Sequence, residues 1–320
     1  MHRPRTSRLA LPLAFMAAMG AQTAPAQSSE RKALDFLARE VPLWSLENHC
    51  YSCHNNGDAA RALYDAKRRR QTIPNAALAD TSLWLSRPER WDRNGGQGPF
   101  SDKTLARIQF ASALALATTS GAIADRTPLK TAAARLAQDQ AADGSWPLAE
   151  GAGNLGSPAS YGKPLATLAA RDTLRAADPF KYANAIARAE SWLLARPLKT
   201  MIDASIVLNI SPLASNRSRA WKMVREAQAP DGGWGPFADT PTEPFDSALV
   251  LLALARLDPT PETRAMIRRA RSYLEAAQLP DGSWPETTRP PNALSYAQKL
   301  STTAWSTLAL LATTEPDAPR

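Results

Sequence analysis

One short motif recurs three times along this chain with the same internal spacing. Each copy holds a glutamine, an Asp-Gly pair and a tryptophan, and each lies between two stretches with helical patterning. Glycine accepts positive φ angles that strain other residues, so the Asp-Gly pair predicts a tight turn. The repeating unit is therefore a helix, a turn and a second helix. The copies span residues 140–146, 228–234 and 278–284.

Three further units can be placed around these copies. Residues 181–210 predict two helices separated by a break at Pro197, although their turn has lost the glutamine and the tryptophan. Residues 81–117 and 31–70 predict two more hairpins, and the second of these carries a cysteine segment in its turn. The pattern thus predicts six helical hairpins of a length typical of paired-helix repeats.

The two helices of each unit differ in composition. The second helices contain nearly uninterrupted apolar runs, such as 248–255 and 307–312, whereas the first helices carry several arginines, as in 264–275. An apolar helix is buried on most sides, so we expect the second helices to form an inner ring and the first helices an outer ring. The predicted fold is all-α, an (α/α)6 toroid formed as a single domain by residues 27–320. An open solenoid is the alternative.

The first 26 residues have the pattern of a secretory signal. Arg3, Arg5 and Arg8 precede an apolar run at 9–19, and small residues at 24–26 form a cleavage pattern. The run is shorter than the roughly 18 apolar residues that an uncleaved membrane anchor needs. We therefore expect a Sec-type signal peptide, a periplasmic or secreted mature protein and no transmembrane segment after cleavage.

Charge and cysteine content exclude two classes of protein. The formal net charge is +8, and the one dense basic run, residues 67–70, has no aromatic side chains interleaved with it. A solvated helix end explains such a run, and we expect no nucleic-acid partner. Only two cysteines are present, so stability must come from an ordinary core and not from a disulfide scaffold.

The recurring Gln-x-x-x-Gly-x-Trp pattern is similar to the QW motif of squalene and hopene cyclases and their prenyltransferase relatives, which share an α/α toroid. The resemblance covers nearly the whole predicted mature chain through three good and three degenerate copies. It implies that the motif side chains brace the outer shell, and activity does not follow from the fold. The residues concerned are Gln140, Trp146, Gln228, Trp234, Gln278 and Trp284.

The chemistries known for this family lack their motifs in this sequence. The Asp-x-Asp-Asp cluster with which triterpene cyclases protonate their substrate does not occur, nor does the Gly-Cys-Gly-Glu-Gln segment of complement-type thioester domains. Prenyltransferases of this family bind zinc through separate inner-ring positions, whereas both cysteines here share one turn. The resemblance therefore leaves the reaction open.

The segment Cys50-Tyr-Ser-Cys53-His54 matches the c-type haem attachment motif. Two thiols at this spacing can add to the two vinyl groups of one haem, and the adjacent histidine can ligate the iron. Attachment takes place outside the cytoplasm, where the predicted signal would send the chain. The motif therefore predicts covalent haem c on Cys50 and Cys53, with His54 as the iron ligand.

Other interpretations of this segment stay open. The cysteines could form a disulfide or a redox-active pair, they could bind zinc together with His49 and His54, or the match could be accidental. If haem is bound, Met201 is the candidate for the sixth ligand because it begins an inner helix. Without such a ligand the iron would be five-coordinate.

Two inner-ring carboxylates are candidates for catalysis. Asp246 and Asp203 each lie near the start of an otherwise apolar helix. A carboxylate there is stabilised by the helix N-terminus, which is its ordinary structural explanation. In a cavity that raises its pKa it could instead act as a general acid or base. In this fold we expect the turns and inner-helix starts to line the cavity.

These observations predict an exported redox protein with covalent haem, a periplasmic redox partner and a cavity that accepts a hydrophobic small molecule. The alternatives are a non-redox enzyme that is terpene-cyclase-like or acts on a glycan through Asp246 and Asp203, and a binding module without turnover.

Overall fold

The computed structural model describes residues 27–94, 102–148, 162–286 and 295–314, and within these ranges it contains helices and no strand. The predicted signal peptide lies outside the described residues. Twelve α-helices are described in chain order, as follows: α1 (Ser29–Asn48), α2 (Ala60–Arg68), α3 (Ala79–Leu85), α4 (Lys103–Thr119), α5 (Thr127–Asp139), α6 (Gly162–Ala177), α7 (Ala183–Ala195), α8 (Met201–Ile210), α9 (Ala214–Glu226), α10 (Pro244–Leu254), α11 (Pro261–Ala277) and α12 (Tyr296–Thr313).

Shorter helical segments complete the description. A π-helical segment, Cys53–Ala59, runs directly into α2, and 3-10 turns lie at Asn75–Ala77 and Pro88–Arg93. Local sequence explains where several helices begin. The side chains of Thr200, Thr260 and Ser295 accept hydrogen bonds from backbone N–H groups in the first turns of α8, α11 and α12, which satisfies donors that a helix start leaves unpaired.

The even-numbered helices form a closed inner ring. Each packs against the next in chain order, from α2 through α4, α6, α8, α10 and α12, and α12 packs back against α2 and the π-helical segment. The odd-numbered helices lie outside and cover the inner helices, with α1 against both α2 and α12. The predicted α/α toroid of six hairpins, with its outer and inner helices, is thus confirmed.

The QW motif at 278–284 closes this ring. Gln278 Nε2 donates to the carbonyl oxygen of Gly282 in its own turn and to that of Ser29 in α1, which joins the last hairpin to the first. Trp284 is fully buried, and its Nε1 donates to the Leu274 carbonyl oxygen of the preceding helix. One motif therefore holds three neighbouring segments of the shell together.

The other two copies repeat this arrangement. Gln140 and Gln228 each bond their own turn and the next outer helix, so the motif is structural. Its glycine is needed twice over: Gly282 has φ +92°, and a Cβ there would lie 2.3 Å from the Lys32 carbonyl oxygen. Any side chain would both strain the turn and push the next helix away.

Candidate functional site

A cavity with both apolar and polar walls lies inside the inner ring. Its volume is about 450 Å³, within the ~300–1,000 Å³ range of small-molecule sites. Most of its lining residues come from the C-terminal halves of the inner helices; Arg61 and Trp305 are buried, whereas Arg69 and Arg256 are exposed. The apolar wall residues include Leu116, Leu165, Leu168, Ile206, Leu249, Leu252 and Leu308.

The placement of this cavity corrects one expectation. The sequence predicts that the turns and the starts of the inner helices line it, whereas most of its lining residues lie in the second halves of those helices. Its lining includes neither Asp203 nor Asp246. Side chains at the C-terminal ends of apolar helices give no motif to search for, so the sequence did not indicate them.

Asp58 is a buried carboxyl group that does not line the cavity itself but lies beside Arg61, which does. It lies in the π-helical segment, is 1% exposed, and its Oδ2 accepts hydrogen bonds from Gln109 Nε2 at 2.8 Å and Ser301 Oγ at 2.9 Å. Burial raises the pKa of Asp58, and the Arg61 charge and these hydrogen bonds offset only part of that increase. The site therefore favours the protonated form of a carboxyl group.

A close helix approach places this group. Gly57 packs so tightly on α4 that a Cβ there would lie 2.8 Å from the Cβ of Gln109. Without a side chain at 57, the segment that carries Asp58 can reach Gln109 on α4, while Ser301 comes from α12 on the other side. Three elements of the closed ring thus converge on one carboxyl group.

Arg61 follows Asp58 and lines the cavity. Its guanidinium carbon lies 4.1 Å from the ring centroid of Trp305, and its Nη2 is 3.8 Å from Asp58 Oδ1. Because Oδ2 of Asp58 already accepts two hydrogen bonds, the acid proton belongs on Oδ1. The proton therefore lies on the carboxyl oxygen nearest to Arg61.

The cysteine turn is built as a helix start. The Ser52 side chain accepts hydrogen bonds from the backbone N–H groups of His54 and Asn55. The His54 side chain points into the ring, where it is 6% exposed, and its Nδ1 lies 3.3 Å from Ser301 Oγ. Cys50 and Cys53 are free thiols. Burial, followed by the charges of Asp58 and Asp102, raises the pKa of Cys53 to about 12.

This arrangement does not fit the predicted haem. A porphyrin needs the open face of its histidine ligand and two thiols at its edge, but His54 is enclosed between helices and Cys53 packs against the hydrophobic core. Covalent haem c on Cys50 and Cys53 stays a sequence prediction.

Met201, the predicted sixth ligand, lies away from this turn. It is fully buried at the start of α8, which packs against α6, α7, α9 and α10. In the order of the inner ring, α8 is three positions from α2, on the opposite side. The structure thus does not bring Met201 together with His54, and Met201 serves as core filling.

The two carboxylates predicted to be catalytic differ in their surroundings. Asp203 forms a capping box with Thr200, and its Oδ1 accepts a hydrogen bond from Arg196 Nε at 3.1 Å. These contacts give it a structural role. Asp246 is fully buried in the first turn of α10 beside Phe245, whose ring packs against Trp305. Asp246 thus stays a candidate acid, second to Asp58.

Replacing Asp203 with alanine is expected to lower the free energy of unfolding by about 1–2 kcal/mol, because the variant loses both the capping box and the contact with Arg196. Urea denaturation followed by circular dichroism measures this change. Asp239→Ala, at an exposed position, is the control and should change stability little. Equal effects of the two substitutions would contradict the structural role of Asp203.

The raised pKa of Asp58 predicts a dependence of stability on pH. Between the ordinary aspartate pKa and the higher folded value, the folded protein binds the proton more tightly than the unfolded chain does. Stability from Asp58 is therefore fully present at lower pH and is lost as the pH rises through the folded pKa. Compared with Asp58→Asn, the wild type should lose free energy of unfolding over that range, measured by denaturation at several pH values. A constant difference would contradict the raised pKa.

Sequence reasoning missed Asp58 and Arg61. Both lie on the inner segment that follows the cysteine turn, and polar side chains there contrast with the apolar inner helices of the later repeats. His54 and Asp58 are four residues apart, one helical turn, which places them on one face. That contrast between repeats was the available signal.

Among the residues that the structure describes, no helix is long and apolar enough to cross a bilayer. Those residues also contain no group of three or more histidine, cysteine or acidic side chains positioned to hold a metal ion.

Part of the chain matches a known protein family. Residues 200–320, somewhat over a third of the chain, match the squalene-hopene cyclase C-terminal domain family. No curated protein sequence matches the chain.

Among solved structures, the apo type II terpene cyclase MstE from Scytonema is 14% identical, with a TM-score of 0.58 over 88% of this chain and 96% of that one. A variant of MstE in complex with the substrate geranylgeranyl dihydroxybenzoate is also 14% identical, with a TM-score of 0.54 over 88% and 98% of the two chains. A protein from Actinoplanes is 17% identical, with a TM-score of 0.56 over 89% and 99%.

These findings correct the predicted function. The redox interpretation is wrong: the family match and the neighbouring structures are cyclase-like, and nothing in them indicates haem or electron transfer. A redox partner is likewise unsupported. The terpene-cyclase-like alternative agrees better with the comparisons, and the α/α toroid superfamily is supported. A five-residue motif is weaker evidence of function than a repeat that covers nearly the whole chain.

Proposed function

We propose that this protein is a terpene-cyclase-like enzyme that holds an isoprenoid chain in the toroid cavity and starts its reaction by protonating a carbon–carbon double bond. The observation that carries the proposal is a buried carboxyl group with a raised pKa, that of Asp58, beside the cavity-lining Arg61, whose Nη2 lies 3.8 Å from Asp58 Oδ1. The likeness to type II terpene cyclases supports the fold that such a reaction uses.

The cavity suits a hydrocarbon chain. Leucine, isoleucine and alanine side chains on its walls bind apolar groups by excluding water, and arginine, aspartate and hydroxyl side chains lie among them. In MstE, a related toroid binds geranylgeranyl dihydroxybenzoate, and another MstE variant is described with merosterolic acid A as product. The substrate class proposed here is accordingly an isoprenoid or a molecule that carries one.

Proton transfer from Asp58 would proceed in one step. The O–H bond on Oδ1 breaks and leaves its electron pair on the carboxylate. The π electrons of the double bond form the new C–H bond, and the adjacent carbon becomes cationic. Ser301 and Gln109 already donate to Oδ2, so they hold the carboxyl group in place and stabilise the negative charge that develops.

Isotope labelling tests this proposal. The purified protein is incubated in D₂O with squalene, geranylgeraniol or geranylgeranyl dihydroxybenzoate, and products are analysed by mass spectrometry. A cyclised or isomerised product should contain one deuterium on carbon that is absent when the protein is omitted. Bound but unchanged ligands across the set would overturn the enzyme proposal and favour the binding module.

A further inference from the structure

We propose that Arg61 is the counter-ion of the Asp58 carboxylate that forms when the acid gives up its proton, and that it is therefore a positioning residue for proton transfer. Its part in turnover rests on the proposed function. The ion pair itself is a property of the two side chains and can be measured without any substrate.

Two unsatisfied polar atoms carry this inference. Asp58 Oδ1 and Arg61 Nη2 are both buried, and neither has a hydrogen-bond partner in the described structure. They lie 3.8 Å apart, beyond hydrogen-bonding distance but close enough for a small side-chain movement to join them. A buried polar atom without a partner is costly. If Asp58 is ionised, its Oδ1 can accept a hydrogen bond from Arg61 Nη2, and both atoms then have a partner.

The surroundings of Arg61 keep it available for this contact. The Arg61 side chain is only 10% exposed, and its guanidinium lies over the Trp305 ring. Its Nε is also buried without a partner. The planar guanidinium stacks well on an aromatic ring while its N–H groups stay free to donate in the plane. Trp305 thus holds the cation beside Asp58.

The other groups around Asp58 do not place a positive charge beside its Oδ1. Gln109 on α4 and Ser301 on α12 are neutral donors to the opposite oxygen, Oδ2. Cys53 keeps its proton at neutral pH, and Asp102 at the start of α4 is acidic. The His54 Nδ1 lies 3.3 Å from Ser301 Oγ. Arg61 is the cationic side chain that lies beside Oδ1.

A consequence follows for the reaction. While Asp58 is protonated, the Asp58–Arg61 pair carries one positive charge, and after transfer it is neutral. The positive charge thereby moves from the pair to the substrate, so the substrate cation forms beside a neutral ion pair and not beside an isolated arginine. Without Arg61, transfer would leave an uncompensated buried carboxylate, which is costly.

The test is a titration of Asp58 in the full chain by NMR with ¹³C-labelled aspartate, with Asp58→Asn used to assign its signal. Arg61→Met removes the charge but keeps a long side chain over Trp305. It should raise the Asp58 pKa by about 1–3 units, the effect expected for a cation at this distance. Arg61→Lys should give a smaller increase and serves if the methionine variant does not fold. Arg256→Met, at an exposed position in the same cavity wall, should leave the signal unchanged.

An Asp58 titration that is the same in the wild type and in both Arg61 variants would overturn the counter-ion assignment. Deuterium transfer provides the second readout: in Arg61→Met the rate should fall at least about tenfold, and its dependence on pH should shift to higher pH. If the wild type transfers no deuterium but the Asp58 signal shifts as expected, the proposed function fails and the ion pair stands. If deuterium transfer is found but the Asp58 pKa does not change in the Arg61 variants, the proposed function is supported and the counter-ion proposal is wrong.

Discussion

Asp58→Asn is expected to reduce deuterium transfer to substrate by about 10²–10⁴-fold, the usual contribution of a general acid. The amide has nearly the same shape and its oxygen can still accept from Gln109 and Ser301, so the wall of the cavity should keep its form. What the variant lacks is an acidic proton on the side facing Arg61. Product formation and deuterium content by mass spectrometry, with substrate binding measured separately, would show this loss.

Asp172→Asn is the matched control for this substitution. Asp172 lines the cavity, but it pairs with Arg171, and its side chain is 43% exposed. The control should therefore keep most of the transfer activity. If Asp58→Asn keeps its activity while Asp246→Asn loses it, the acid is Asp246 and the assignment of Asp58 is wrong.

Trp284→Ala is expected to lower the free energy of unfolding by about 3–5 kcal/mol, the cost typical of removing a large buried aromatic side chain. Trp284 is fully buried, and its Nε1 bonds the carbonyl oxygen of Leu274. It lies in the motif that joins the last hairpin to the first through Gln278 and Ser29. The substitution should therefore destabilise the whole ring and not only one hairpin.

Denaturation in urea, followed by tryptophan fluorescence and circular dichroism, measures this effect. Trp221→Ala, a half-buried tryptophan on the outer helix α9, is the control and should cost clearly less. Separate transitions in the two signals of the Trp284 variant would indicate that the ring has opened locally. A stability within about 1 kcal/mol of the wild type would contradict the closing role of the motif.

The repeat allowed the fold to be predicted because its information is local. Asp-Gly at 231–232 specifies a turn, the tryptophan that follows is large and apolar, and the flanking segments alternate between arginine-bearing and wholly apolar helices. Each of these features lies within one hairpin, so every hairpin can be recognised from its own residues. Similar features then identify the remaining hairpins. The outer and inner order of the helices followed correctly, including the hairpins whose motif is degenerate.

The interpretation of the cysteine turn failed for a related reason. Cys50, Cys53 and His54 match a motif by identity and spacing, but spacing alone does not state where a side chain points. In the structure, the turn starts an inner segment and sends His54 toward Ser301, on a helix nearly 250 residues later in the chain. That contact exists only because the ring closes.

The sequence by itself therefore determined the hairpins, their inner and outer faces and the bracing role of the glutamine and tryptophan residues, since turn geometry and hydrophobic periodicity are encoded within each repeat. Only the tertiary structure decided the site. Asp58 is an ordinary aspartate until Gln109, Arg61 and Ser301 surround it and water is removed, and these neighbours come from the first, second and last hairpins. The shift in its pKa arises from that shared burial, and no local pattern in the chain records it.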